Sequence, residues 1–79
     1  MVMENLDKYA IVAYDKDNDY YEELRTGNDA DKLVKDMFYE FMPKLREDEL
    51  RRKKDGEPFD WLFVEERKTQ KRIAGSWEA

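Results

Sequence analysis

Asp15, Asp17 and Asp19, separated by Lys16 and Asn18, follow the opening spacing of a calcium-binding EF-hand loop. The pattern then stops. Position six needs a glycine for its sharp turn and is Tyr20, while position twelve needs a carboxylate and is Thr26. The flanks also read as strands, so an acidic hairpin turn is expected rather than a metal site. Asp60 and the run Glu66-Arg67-Lys68 place two carboxylates and a lysine in the order used by Mg²⁺-dependent nucleases. On one strand those carboxylates would stand about 20 Å apart at ~3.3 Å per residue, too far to share an ion.

Other chemistry has little to work with. Ser76 is the only serine, and with no histidine and no cysteine in the chain nothing of that kind can deprotonate it or replace it. Glu22/Glu23 and Glu65/Glu66 are adjacent pairs, which strands point to opposite faces. Gly27, Gly56 and Gly75 are isolated and form no phosphate-cradling loop. No catalytic residue, no metal ligand and no cofactor is therefore expected.

Charge and aromatic content suit binding better. Residues 1–50 carry 7 basic and 14 acidic side chains, residues 51–79 carry 8 and 6, and the net charge is -5. The acids Asp15, Asp17, Asp19, Glu22, Glu23, Asp29, Asp31, Asp36 and Glu40 offer an anionic surface to a basic or nucleic-acid-binding partner, or a mimic of a phosphate row. The cations Arg67, Lys68, Lys71 and Arg72, with Trp61 and Trp77 nearby, offer the alternative of nucleic-acid contact with stacking help. An acidic chain opposes a phosphate polymer over most of its surface, which makes that alternative the weaker one.

The elements that must position these residues follow from periodicity. Tyr9 to Tyr14 reads as a strand, residues 15–19 as a turn, and Tyr20 to Leu24 as the return strand. Asn28 or Asp29 can cap a helix whose apolar stripe is Ala30, Leu33, Val34, Met37, Phe38, Phe41, Met42 and Leu45. Pro43 must kink that helix or start another. From Lys44 to Lys54 the pairs Glu47/Arg51, Asp48/Arg52 and Glu49/Lys53 predict a polar helical extension ending at Gly56. Phe59 to Glu66 and Lys71 to Trp77 complete the strands around a turn at 67–70.

The expected fold class is α+β: a single ββαββ domain over 1–79, with residues 1–8 frayed. A four-stranded antiparallel sheet carries one main amphipathic helix plus the polar extension. Its core would hold Ile11, Leu33, Val34, Met37, Phe38, Phe41, Trp61, Phe63 and Ile73. One helix covers one face of a sheet, yet Ile11-Val12-Ala13 and Trp61-Leu62-Phe63-Val64 are apolar on both faces. Either the extension folds over the back, or another chain does, or the central strands are modestly exposed.

The longest apolar run, Tyr9 to Tyr14, is far below the ~20 residues of a membrane span. The first residues carry no secretory pattern, so a cytoplasmic chain without membrane partner is expected. The whole profile is short, acidic, aromatic-rich and free of Cys and His, closing on Gly75-Ser76-Trp77-Glu78-Ala79. It resembles the class of small acidic phage-encoded host-interaction proteins. That resemblance implies a stoichiometric binder that disables one host macromolecule, and it transfers no site residue. The expected function is non-enzymatic protein binding, with Tyr14, Tyr20, Tyr21 and Trp77 as anchors beside Asp15, Asp17, Asp19, Glu22 and Glu23. Homodimerisation is a further possibility.

Overall fold

The computed structural model describes residues 6–78. Four strands, β1 (Tyr9–Asp15), β2 (Tyr20–Gly27), β3 (Trp61–Glu66) and β4 (Lys71–Gly75), form one antiparallel sheet in the order β2-β1-β3-β4. The helix between β2 and β3 completes the ββαββ order. No helix among the described residues is long and apolar enough to cross a membrane. Of the expected frayed segment, 1–5 lie outside the described residues. Asp7 and Lys8 are held: Asp7 accepts from Thr26 Oγ1 at 2.7 Å, and Lys8 N–H donates to Asn28 Oδ1 at 3.0 Å.

Asp29 starts the helix, as its side chain accepts from Lys32 N–H at 3.1 Å. Helical turns Ala30–Asp36 and Met42–Arg46 flank a π-helical stretch, Met37–Phe41. Pro43 accounts for the widening: it has no N–H for the Tyr39 carbonyl, and its ring crowds that carbonyl. The apolar stripe then packs Leu33, Met37, Phe41 and Met42 onto Ile11, Ala13, Leu62 and Val64 of the sheet, with Val34, Phe38 and Leu45 half-buried at the margin.

The helix stops at Arg46, and the expected extension to Lys54 does not form. Glu49 N–H returns to Lys44 O at 2.8 Å and Asp48 N–H to Leu45 O at 3.2 Å, with Asp48 left-handed at φ 55°. This is a Schellman ending with aspartate in the usual glycine position. Acid–base pairs one turn apart contribute only a few tenths of a kcal/mol each in an isolated helix. The chain instead turns back: Arg52 N–H donates to Glu57 O at 2.8 Å and Phe59 N–H to Leu50 O at 3.3 Å. Gly56, at φ 73°, serves this turn and not a helix end. Leu50 and Phe59 join the helix-side core, so residues 44–58 leave the other face of the sheet alone.

Two expected core residues lie elsewhere. Ile73 is the extra residue of a β-bulge, opposite the step from Val64 to Glu65, and is 43% exposed. Trp61 is 41% exposed on the face away from the helix. A second bulge puts Leu24 and Arg25 against Ile11, which brings Arg25 to Asp36 (3.2 Å) and Glu40 (2.6 Å) on the helix.

Candidate functional site

The face away from the helix holds a small buried cluster, Ala10, Val12 and Phe63, with Tyr14 packed against it. Among the described residues no long helix and no further strand lies over it; side chains of the face and of the C-terminal turn do. At the end nearer the β1–β2 turn, Tyr14 lies 4.6 Å from Tyr21 and 5.7 Å from Trp61, its partner in register. Trp61 meets Trp77 at 6.4 Å, and Phe63 meets Trp77 at 6.4 Å and Tyr21 at 6.2 Å. These spacings are those of offset and edge-to-face ring pairs. Tyr21 and Trp77 remain 48% and 51% exposed, so with Trp61 they form one open aromatic patch.

The C-terminal turn builds one wall of the patch. The fourth strand ends at Gly75, short of the expected Trp77, and Ser76–Glu78 form a 3₁₀ turn. Ser76 Oγ accepts Leu62 N–H at 3.1 Å, which extends the ladder by a side chain. The Trp77 indole lies directly against Gly75, where any Cβ would overlap the ring.

At the other end of this face the side chains are charged. Arg67 donates to both Glu23 carboxylate oxygens, at 2.9 and 3.2 Å, and to Asp7 O at 3.0 Å. Arg72 lies over the aromatic patch, its guanidinium carbon 4.4 Å from the Phe63 ring centre and 5.9 Å from that of Trp77. Glu65 is opposite Arg72 in register, yet neither makes an ion pair among the described residues. Burial, with the Glu23 charge added, pushes the Glu65 carboxyl up. A groove of about 310 Å³ runs between these ends, floored by Val12 and Phe63.

The sequence-predicted anchors are divided by strand parity. Tyr14, Tyr21, Glu23 and Trp77 belong to this face. Tyr20 points to the helix side, where it stacks on Phe59 at 6.4 Å, and so it is not an anchor of the patch. Glu22, its neighbour in parity, lies opposite Ala13 on that same side.

Asp15 is likewise no anchor of the patch: it is buried in an ion pair with Arg52, which in turn grips Asp55, with Nε at 2.8 Å. The Asn18 side chain at 2.7 Å, then the Asp17 N–H and the Arg52 charge, hold the Asp15 carboxyl below its ordinary value against the opposing effect of burial. Burial likewise opposes the Arg52 charge, but hydrogen bonds to Asp55 and the Asp15 charge keep its pKa above the ordinary value.

Asp15, Asp17 and Asp60 bring carboxylate oxygens within 4.8 Å of one another; Asp19 is not among them. Asp15 is committed to Arg52, and Asp60 accepts Lys16 N–H at 2.9 Å. Asp19 accepts the Tyr14 hydroxyl at 3.0 Å, which raises the tyrosine pKa and fixes its ring within the patch. Glu66 accepts from Thr69 at the far end of β3 from Asp60, so no pair of nuclease type assembles. Of the basic hairpin, Arg67 and Arg72 are engaged as described, and Lys68 and Lys71 are exposed at the tip.

Sequence reasoning grouped Arg72 with Trp61 and Trp77 only as a nucleic-acid alternative; it missed that they share one surface with Phe63, Tyr14 and Tyr21. Their signal was parity: Trp61, Phe63 and Glu65 alternate along one strand, and Tyr14 is the register partner of Trp61. No family model, curated protein or solved structure matches the chain. The geometry of the face therefore carries the functional reading.

Proposed function

We propose that this chain is a non-enzymatic protein-binding module that docks through the uncovered sheet face. The single observation that supports it is the continuous set of rings Tyr21, Tyr14, Trp61 and Trp77, about half exposed at three positions and anchored on Phe63. Exposed apolar patches rimmed by polar groups mark interaction sites, and Trp, Tyr and Arg dominate binding hot spots. The acids favour no phosphate mimic, because Asp15, Glu23, Asp36 and Glu40 are already paired with cations of the same chain. Nucleic-acid contact has Lys68 and Lys71 in its favour, but the groove that leads to the rings is lined by Glu23 and Glu65, which repel phosphate. The likeness to small phage-encoded proteins supports a stoichiometric inhibitor of one host protein.

The two neighbouring tyrosines give the test. Tyr21→Ala is expected to abolish capture of a partner from nuclease-treated lysate while leaving the melting temperature nearly unchanged. Tyr20→Ala is expected to lower the melting temperature and, where folded, to keep the partner. Nucleic acid recovered at low salt, and lost on charge reversal at Lys68 and Lys71, would overturn this reading.

A further inference from the structure

We propose that the same face of a second copy of this chain is the protein that fits the patch, with Glu65 of each protomer meeting Arg72 of the other. This rests on the reading of that face as a protein-binding surface. Its charges carry the argument. Among the described residues of this face Glu23 pairs with Arg67, while Glu65 and Arg72 make no ion pair and the Arg72 and Arg67 charges act on Glu65 only at a distance. Glu65 and Arg72 are register neighbours on adjacent strands, yet Arg72 is held on the rings of Phe63 and Trp77 and does not turn to Glu65.

A two-fold axis that lies in the plane of the face and runs between β3 and β4 places Glu65 of each protomer over Arg72 of the other, with Trp61, Phe63 and Trp77 at the seam. A face with both charges is not complementary to a phosphate polymer, nor to a uniformly basic or acidic surface. Stacked sheets pack about 10 Å apart, a gap that rings standing off the sheet fill. Arg72 is already pre-stacked, so little freedom is lost when its fork takes a carboxylate. A helix on one face and a second sheet on the other would give the small chain the layers its single core lacks. With that axis the apposed strands are β3 and β4, about two strands by six residues, roughly 200 Å² in flat outline before the Trp77 ring is added. The standard interface removes about 800 Å² from each partner, so the dimer is weak and concentration-dependent.

Sedimentation equilibrium of the full chain, from low micromolar concentrations upward, tests this. The wild-type chain is expected to pass from monomer to dimer across that range. Glu65→Lys and Arg72→Glu are each expected to be monomeric throughout, because each places like charges across the axis. Mixed in equal amounts, the two variants should regain a dimer, since each supplies the charge that the other lacks. That recovery excludes misfolding as the cause of the single effects. A wild-type chain monomeric throughout, single variants that dimerise as well as wild type, or a mixture that stays monomeric would each overturn the proposal. Capture of a different protein that still depends on Tyr21, by a chain that stays monomeric, would overturn self-association alone and leave the protein-binding reading standing.

Discussion

Arg52→Met is expected to lower the melting temperature by roughly ten degrees or more, the largest fall of any charge-removing substitution in the chain. Arg52 is the one buried cation among the described residues, and its partner Asp15 is equally buried. Asp15 closes β1, while Arg52 belongs to the turn that carries Leu50 and Phe59 into the core. Their contact ties two parts of the chain 37 positions apart. Loss of the guanidinium leaves a buried carboxylate with only the Asn18 amide and Asp17 N–H, and it frees Asp55. The double replacement Asp15→Asn with Arg52→Met is expected to recover part of the loss, because the uncompensated charge causes most of it. Lys53→Met, exposed one residue away, is the control and should melt with the wild type. Thermal unfolding followed by circular dichroism reads all three, and equal melting of Arg52→Met and wild type would refute the assignment.

The same pair sets an acid limit. Asp15 titrates below its ordinary value of 3.8, through Asn18 first and then Asp17 and Arg52, and Glu40 titrates below 4.5 through Arg25. A depressed carboxyl binds fewer protons in the native than in the unfolded chain. Its stabilisation is present above the unfolded value and is lost as pH falls through the folded one. Glu65, raised by burial, contributes with the opposite sign and gains as the pH falls. Glu40 and Arg25 are substantially exposed and screened, so Asp15 dominates. Urea midpoints should be level near neutrality and fall below about pH 5, with a shallower fall in Arg52→Met. Parallel curves for the two proteins would show that Asp15 does not govern the slope.

Elements with strong periodicity were legible in the sequence, and contacts between distant positions were not. The stripe from Ala30 to Leu45 is a helix because eight apolar residues share one face, and nothing local competes with it. From Glu47 onward three acid–base pairs favour a helix equally clearly, but their weak sum is set against the burial of Leu50 and Phe59 and the Asp15–Arg52 contact. No property of the run Arg51-Arg52-Lys53-Lys54 marks its second member as the buried one. Trp61 shows the limit from the other side. Hydrophobicity assigned it to the core, while parity with Phe63 assigns it to the face that the helix does not cover. Parity likewise separates Tyr20 from Tyr21, although both are tyrosines at the start of one strand. The excess of apolar residues on β1 and β3 was the signal of the face that the helix leaves open, since one helix cannot cover both faces.

Phe63 and Trp77 lie in contact on that uncovered face and are expected to fail in different ways. Phe63 is 1% exposed, under Trp77, Tyr21 and Arg72. Phe63→Ala should cost about 3–5 kcal/mol of stability, the usual loss for a buried phenyl ring. Trp77 is half exposed and stands outside the buried cluster, so Trp77→Ala should cost less than Phe63→Ala, about 1–3 kcal/mol, and leave the chain folded. Association through the face should nevertheless weaken by roughly 30-fold or more, the scale of a central tryptophan hot spot. Gly75→Val supplies the structural control: its side chain occupies the space of the indole, leaves Trp77 in the sequence and must displace the ring. If the aromatic patch is the binding surface, Gly75→Val reproduces the binding loss of Trp77→Ala. Undiminished association in both variants would remove Trp77 from the interface and move the contact to the Tyr21 side of the groove.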